Sequence, residues 1–340
     1  MTCVQLRWPA RRNAHRNDKG SSLRNRLTPF LKLFISLALI LVVFARVDLA
    51  AVAAQLATAN LWPVAAALGF YLLAIAVNAA KWRVLLRAQG VRVPFAELLA
   101  MQFVGFFFNN FLPANVGGDV MRGYTLARYT DRLADAAVSV VVDRIVGLLA
   151  YMSTAVVAAF VLVSLVGRQD LQAVEGVAVL ALAVLAIGFG VLLSRRLRGL
   201  ISQLFEWRFL ARLAPVWQGV SDALNAYRFR YAALVTAFGI ALIGILCTTI
   251  VNWCLSQSVG GLMSLSAILL FNPLIALVLM LPISIGGLGL NQAAYPFFYG
   301  LAGVPADHAV AVSVLMQAII ITGSLPGGLF WLRSKEQSHV

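Results

Sequence analysis

Apolar residues fill this chain in long unbroken stretches, not in the alternation of a half-buried strand or the one-sided stripe of a soluble helix. Six stretches, about Pro29 to Val47, Leu61 to Ala80, Ala136 to Leu165, Gly176 to Leu193, Tyr231 to Gln257 and Ala309 to Leu332, are close to or beyond the ~20 residues that cross a bilayer as a helix. Two others, Pro94 to Phe111 and Ser266 to Leu281, are apolar enough to enter a membrane but stop at LPANVGG (112–118) and LPISIGG (281–287). Irregular backbone at membrane depth survives only where protein or water satisfies its polar groups. A helix that halts at Pro and Gly-Gly there is the broken-helix pattern of transporters. The pattern predicts an all-α polytopic membrane protein with about six full transmembrane helices and two re-entrant broken-helix pairs.

Composition supports a membrane class: 61% of residues are hydrophobic and 12% charged, against about 45–50% and 25% in a soluble domain. The net charge of +14 would suit a nucleic-acid partner, but no recognition module accompanies it. The positive residues sit in short clusters beside the apolar stretches, as the positive-inside rule requires. Placed by that rule, residues 1–28 form a basic cytoplasmic tail, 29–333 the membrane domain, 194–230 a cytoplasmic loop lying in the interface, and 334–340 a second cytoplasmic tail. This arrangement keeps 23 of the 27 Lys and Arg on the inside. It holds only if Pro94–Phe111 enters from the cytoplasm and turns back at LPANVGG. Lys81 closes the second span and begins the cytoplasmic cluster Lys81, Arg83, Arg87 and Arg92.

The two breaks share the form L-P-x-polar-x-G-G, and each precedes a short segment and then a long span. The elements 94–165 and 266–332 therefore read as an inverted repeat, an arrangement that places substrate near the midplane. Arg122 falls opposite Asn291. With a four-residue insertion in the second copy, Asp143 falls opposite Met316 and Arg144 opposite Gln317. The first copy carries formal charge and the second is neutral.

Ionisable residues within apolar segments are costly and mark function by default. Here they are Asp119, Arg122, Asp143 and Arg144. A guanidinium matches phosphate oxygens bidentately, so Arg122 and Arg144 are the candidate contacts to a lipid headgroup. Gly117 and Gly118 would let backbone N–H groups approach an anion at the start of a helix. Asp143, beside Arg144 but on another face, would pair with Arg122, Arg128 or Arg144. Asp119 either joins the site or caps its helix. Asn109, Asn110 and Asn115 line a polar path or satisfy freed backbone. In the second copy the candidates are Gly286, Gly287, Asn291 and Gln292. Cys247 and Cys254 are about 10 Å apart along one helix, too far for a disulfide. No metal-ligand spacing, nucleophile elbow or Walker loop occurs, and no cofactor is expected.

LPANVGGDVMRGYTLAR, AAVSVVVDRIVGLL and LPISIGGLG, followed by a long C-terminal span, resemble the flippase-like transmembrane family. That family is named for the membrane half of lysylphosphatidylglycerol synthase, the multiple peptide resistance factor. The resemblance covers roughly residues 29–333. Where the family usually has an Arg-Glu pair after the second Gly-rich element, this chain has Asn291-Gln292, and Gln317 stands where an arginine is usual. The resemblance implies an inner-membrane protein that moves a polar or anionic lipid between leaflets, with membrane lipids as partners. A homodimer and a separate lipid-synthesis enzyme stand as candidate protein partners. The synthase's aminoacyl-transferase domain is not among these residues, so the chain is expected not to make the lysyl-lipid itself. Two other classes stay open: a membrane-embedded lipid or glycosyl transferase, which would need Asp119 or Asp143 as base, and an accessory subunit of such an enzyme.

Overall fold

The computed structural model describes residues 47–110, 117–166, 183, 187–191, 194–204, 214–227, 229–280, 284 and 286–336. Nearly all of the span expected over Pro29–Val47, most of that over Gly176–Leu193, and Asn115 lie outside the described residues.

Every regular element among the described residues is an α-helix. In chain order they are α1 (Leu49–Ala57), α2 (Leu61–Ala88), α3 (Phe95–Asn109), α4 (Gly117–Thr130), α5 (Leu133–Val166), α6 (Arg195–Leu204), α7 (Ala214–Asn225), α8 (Tyr231–Ser258), α9 (Leu265–Leu279), α10 (Leu290–Gly300), α11 (Ala306–Ser324) and α12 (Pro326–Glu336). Four stretches are long and apolar enough to cross a membrane: Leu61–Ala88, Leu133–Ala158, Tyr231–Ser258 and Ala306–Leu332, the last running through α11 and α12. The chain is an all-helical polytopic membrane protein. Helices α3 and α9 have 15 residues each, about 22 Å of rise against a core of about 30 Å. Pro273 lies inside α9 without ending it.

Helix α2 also departs from expectation. It continues past Ala80 to Ala88 because its buried stripe continues: Ala74, Ile75, Ala79, Trp82, Leu85 and Leu86 are all at most 3% exposed. This carries Lys81 into the protein, at 5% exposure. Along its length α2 packs on α8, where small residues (Ala237, Ala241 and Gly244) let the backbones approach. The Tyr227 hydroxyl donates to the Leu85 carbonyl at 3.0 Å. That bond ties the end of α2 to the turn before α8 and gathers Arg83, Arg87 and Arg230 at one basic end. At the opposite end the Asn60 N–H donates to the Ser258 carbonyl at 2.9 Å.

The two repeats exchange partners. Helix α3 packs on α12, the end of the second copy's long span, and α9 packs on α5, the long span of the first. The α3–α12 contact is backbone to backbone. A Cβ placed on Gly327 would collide with the Phe103 carbonyl and the Phe107 side chain. Phe103 meets Phe330, and Phe108 meets Trp331, with ring centroids 6.0 and 5.2 Å apart. Gly327→Ala is therefore expected to cost about 1–3 kcal/mol as overpacking, read as a lower unfolding temperature in detergent. An unchanged temperature would mean that the helices do not touch so closely.

Candidate functional site

One helical stripe from each of four elements converges between the two breaks. Asn78 and Lys81 come from α2, Gln102, Gly105, Phe106 and Asn109 from α3, Gly118, Asp119 and Arg122 from α4, and Asp143, Arg144, Gly147, Leu148 and Tyr151 from α5. Met280, just past α9, closes the wall. Together they line a cavity of about 210 Å³. Its lining mixes the ionic side chains of Lys81, Asp119, Arg122, Asp143 and Arg144 with the apolar ones of Phe106, Leu148 and Met280.

The charges form a single chain. Lys81 Nζ lies 3.2 Å from Asp143 Oδ1. The other oxygen, Asp143 Oδ2, accepts from Arg122 Nη2 at 2.8 Å. Arg122 Nε donates to Asp119 Oδ1 at 2.9 Å, and Arg144 Nη1 donates to Asp119 Oδ2 at 3.1 Å. All four carboxylate oxygens thus face a cation. Among the described residues, three cations against two carboxylates leave the cluster one positive charge. Arg122 is further fixed by Gln102 Oε1 at 3.2 Å and by the Trp82 ring, whose centroid lies 5.0 Å from its Cζ. Trp82 is held in turn by its Nε1–H bond to Ser139 Oγ at 3.1 Å. Burial is graded along the chain of charges: the Lys81, Arg122 and Asp143 side chains are at most 6% exposed, Asp119 is 16% and Arg144 42% exposed. Arg144 stands at the mouth.

The structure brings Asp119, Arg122, Asp143, Arg144 and Gly118 together and assigns several of them different work from that expected. Asp143 takes Arg122 and Lys81 as partners. Asp119 lies in the first turn of α4 and spends both oxygens on arginines, so capping is not its role. The Gly118 N–H is taken by Asn109 Oδ1 at 2.8 Å and so is not directed at an anion. Gly118 instead lets α4 approach α3, because a Cβ there would meet the Gly105 carbonyl. Gly117 does not line the cavity. Asn110 Nδ2 donates to Ser324 Oγ at 2.7 Å, which ties the end of α3 to α11.

The second-copy candidates form a separate cluster. Asn291 Nδ2 donates to Gln317 Oε1 at 2.8 Å, and Gln317 Nε2 donates to the Gly286 carbonyl at 3.3 Å. Gln292 Oε1 accepts the Gly289 N–H at 2.8 Å and closes the start of α10. Gly286 (φ 58°) and Gly287 (φ 77°) hold left-handed backbone that a side chain would strain, and Gly286 lies against the backbone of Asn110. Where the first stretch holds the ionic Arg122–Asp143 pair, the second holds the neutral Asn291–Gln317 pair.

Lys81, Gln102 and Trp82 were not among the expected site residues. The available signal was the apolar stripe on α2, which continues on both sides of Lys81.

The family model described as lysylphosphatidylglycerol synthase TM region matches residues 30–327. No curated protein matches the sequence. With nearly the whole chain covered, this lipid-related membrane protein belongs to the lysylphosphatidylglycerol synthase TM region family.

Proposed function

We propose that this chain is an inner-membrane lipid translocase that carries a polar or anionic headgroup through the cavity between the two helix breaks. One observation carries the reading: a cavity lined by both ionic and apolar side chains, with Arg144 half-exposed at its mouth. An amphipathic substrate matches that mixed lining. At about 210 Å³ the space is below the usual ~300–1,000 Å³ of small-molecule sites, so it suits a headgroup while the acyl chains stay in the bilayer. By the positive-inside rule the basic end faces the cytoplasm. In this reading α3–α4 enters from that side and α9–α10 from the other.

The transferase reading needs a carboxylate able to take a proton, and each oxygen of Asp119 and Asp143 already faces a cation. Asp119→Asn that keeps lipid movement would count against an enzyme.

The test is movement of headgroup-labelled phosphatidylglycerol in sealed liposomes, read as loss of outer-leaflet label. Wild type should exceed empty liposomes. Arg144→Ala should lose about tenfold or more, the worth of a charge-assisted bond of roughly 1.5–3 kcal/mol, while stability falls by under about 1 kcal/mol, as for exposed pairs. Wild-type protein that is folded and moves no lipid would overturn the translocase reading.

A further inference from the structure

We infer that the cavity selects a headgroup of net negative charge and rejects aminoacylated, net cationic lipids, including the lysyl-lipid in the family's description. The inference rests on the headgroup site proposed above and adds the sign of its ligand.

The argument is one of charge and vacancy. Among the described residues that line the cavity, Lys81, Arg122 and Arg144 outnumber Asp119 and Asp143, so this lining carries one net positive charge. An ammonium entering it needs an acceptor. Three of the four carboxylate oxygens accept from the protein's own arginines, and the fourth, Asp143 Oδ1, accepts no hydrogen bond but lies 3.2 Å from Lys81 Nζ; Gln102 Oε1 accepts from Arg122, and Asn109 Oδ1 accepts the Gly118 N–H. A cationic headgroup must therefore share these carboxylates with the buried lysine and arginine and bring a like charge beside them in a water-poor site.

An anion meets the reverse situation. The outermost link, Arg144–Asp119, is the most exposed of the chain. A phosphate arriving at the mouth can take the place of the Asp119 carboxylate on Arg144, and Asp119 keeps Arg122 as its partner at 2.9 Å. The inner pairs need not break. Asp119 thus occupies the cavity as a stand-in for the substrate phosphate. The second copy does not offset the balance, because Asn291, Gln292 and Gln317 are neutral and hold one another or the backbone.

Phosphatidylglycerol has one phosphate charge. Its lysyl ester adds two ammonium groups and becomes net positive. The experiment compares these two lipids, with the zwitterion phosphatidylethanolamine between them, in the liposome assay. Unfolding temperature in detergent is measured in parallel with short-chain forms of each lipid and with inorganic phosphate. Phosphatidylglycerol should move about tenfold faster or more than its lysyl ester, since like charges brought together cost several kcal/mol, and only phosphatidylglycerol should raise the unfolding temperature. Arg144→Glu turns the balance negative and should reverse the preference. If that variant does not fold, Arg144→Gln, which brings the balance to zero, should narrow it.

Equal movement or equal stabilisation by the lysyl ester overturns the inference and leaves the translocase reading standing. No movement of any lipid, with selective stabilisation by phosphatidylglycerol that Arg144→Glu removes, overturns the translocase reading and supports the selectivity. Stabilisation by inorganic phosphate equal to that by the lipid makes this a free-anion site and overturns the inference. So does stabilisation by phosphatidylglycerol that persists in Arg144→Glu, because the lipid then binds elsewhere.

Discussion

Asp143→Ala lowers the stability of the folded protein by roughly 3–5 kcal/mol, the loss measured when one partner of a buried ion pair is removed. Asp143 is the only carboxylate that reaches Lys81 among the ion pairs of the described residues, at 3.2 Å, and it also holds Arg122 at 2.8 Å. Its removal leaves Lys81 with only the residue-143 carbonyl at 3.5 Å and leaves Asp119 as the one carboxylate on Arg122. The measurement is unfolding in detergent, followed by intrinsic fluorescence. Lys81→Met combined with Asp143→Leu supplies the decisive comparison. Replacing a buried ion pair with apolar side chains of similar volume is often neutral or stabilising, so the double variant should be more stable than Asp143→Ala although it changes more atoms. Two single losses that simply add would show that Lys81 and Asp143 do not act as a pair, since contacting charges are non-additive. The double variant also keeps the cluster's single positive charge, so its lipid preference should match that of wild type.

This pairing explains which parts of the site could be read from the chain. Asp119, Arg122, Asp143 and Arg144 stand out because each interrupts an apolar segment, and the cost of an unpaired charge there requires partners. Lys81 was hidden by its neighbours. Followed by Arg83, Arg87 and Arg92, it resembles the first residue of a cytoplasmic loop, and a charge-counting rule cannot separate the inner edge of a span from the loop beyond it. The helix resolves this, because Lys81 lies on the same face as the buried residues Ala74 and Leu85. Gly118 misled in another way. A Gly-Gly pair at a helix start fits an anion cradle and a close helix crossing equally well, and only the position of Asn109 decides between them. The pairing of Asn291 with Gln317 was not legible, because neither is charged and a neutral amide in an apolar run demands no partner as plainly as an ion does.

Arg122→Lys keeps the charge and is expected to fail nonetheless, losing roughly 2–4 kcal/mol of stability and, with it, lipid movement. The guanidinium serves three acceptors at once: Asp119 through Nε at 2.9 Å, Gln102 through Nη1 at 3.2 Å and Asp143 through Nη2 at 2.8 Å. It also lies with its Cζ 5.0 Å from the centroid of the Trp82 ring. An ammonium is a compact point donor without the planar fork that spans these positions. It can hold Asp143 or Asp119 but not both in the present geometry, and whichever it leaves is a partly desolvated carboxylate, with Gln102 Oε1 also unsatisfied. Each such loss costs about 1–3 kcal/mol, and the planar contact with Trp82 is lost as well. The comparison is Arg144→Lys. Arg144 makes its ion pair with Asp119 at 42% side-chain exposure, where water can complete a lysine's bonds, so stability should change by less than about 1 kcal/mol. Unfolding temperatures of the two variants in detergent separate the possibilities. An Arg122→Lys protein as stable as wild type would mean that this position needs only a positive charge, and that the fork geometry does not organise the cavity.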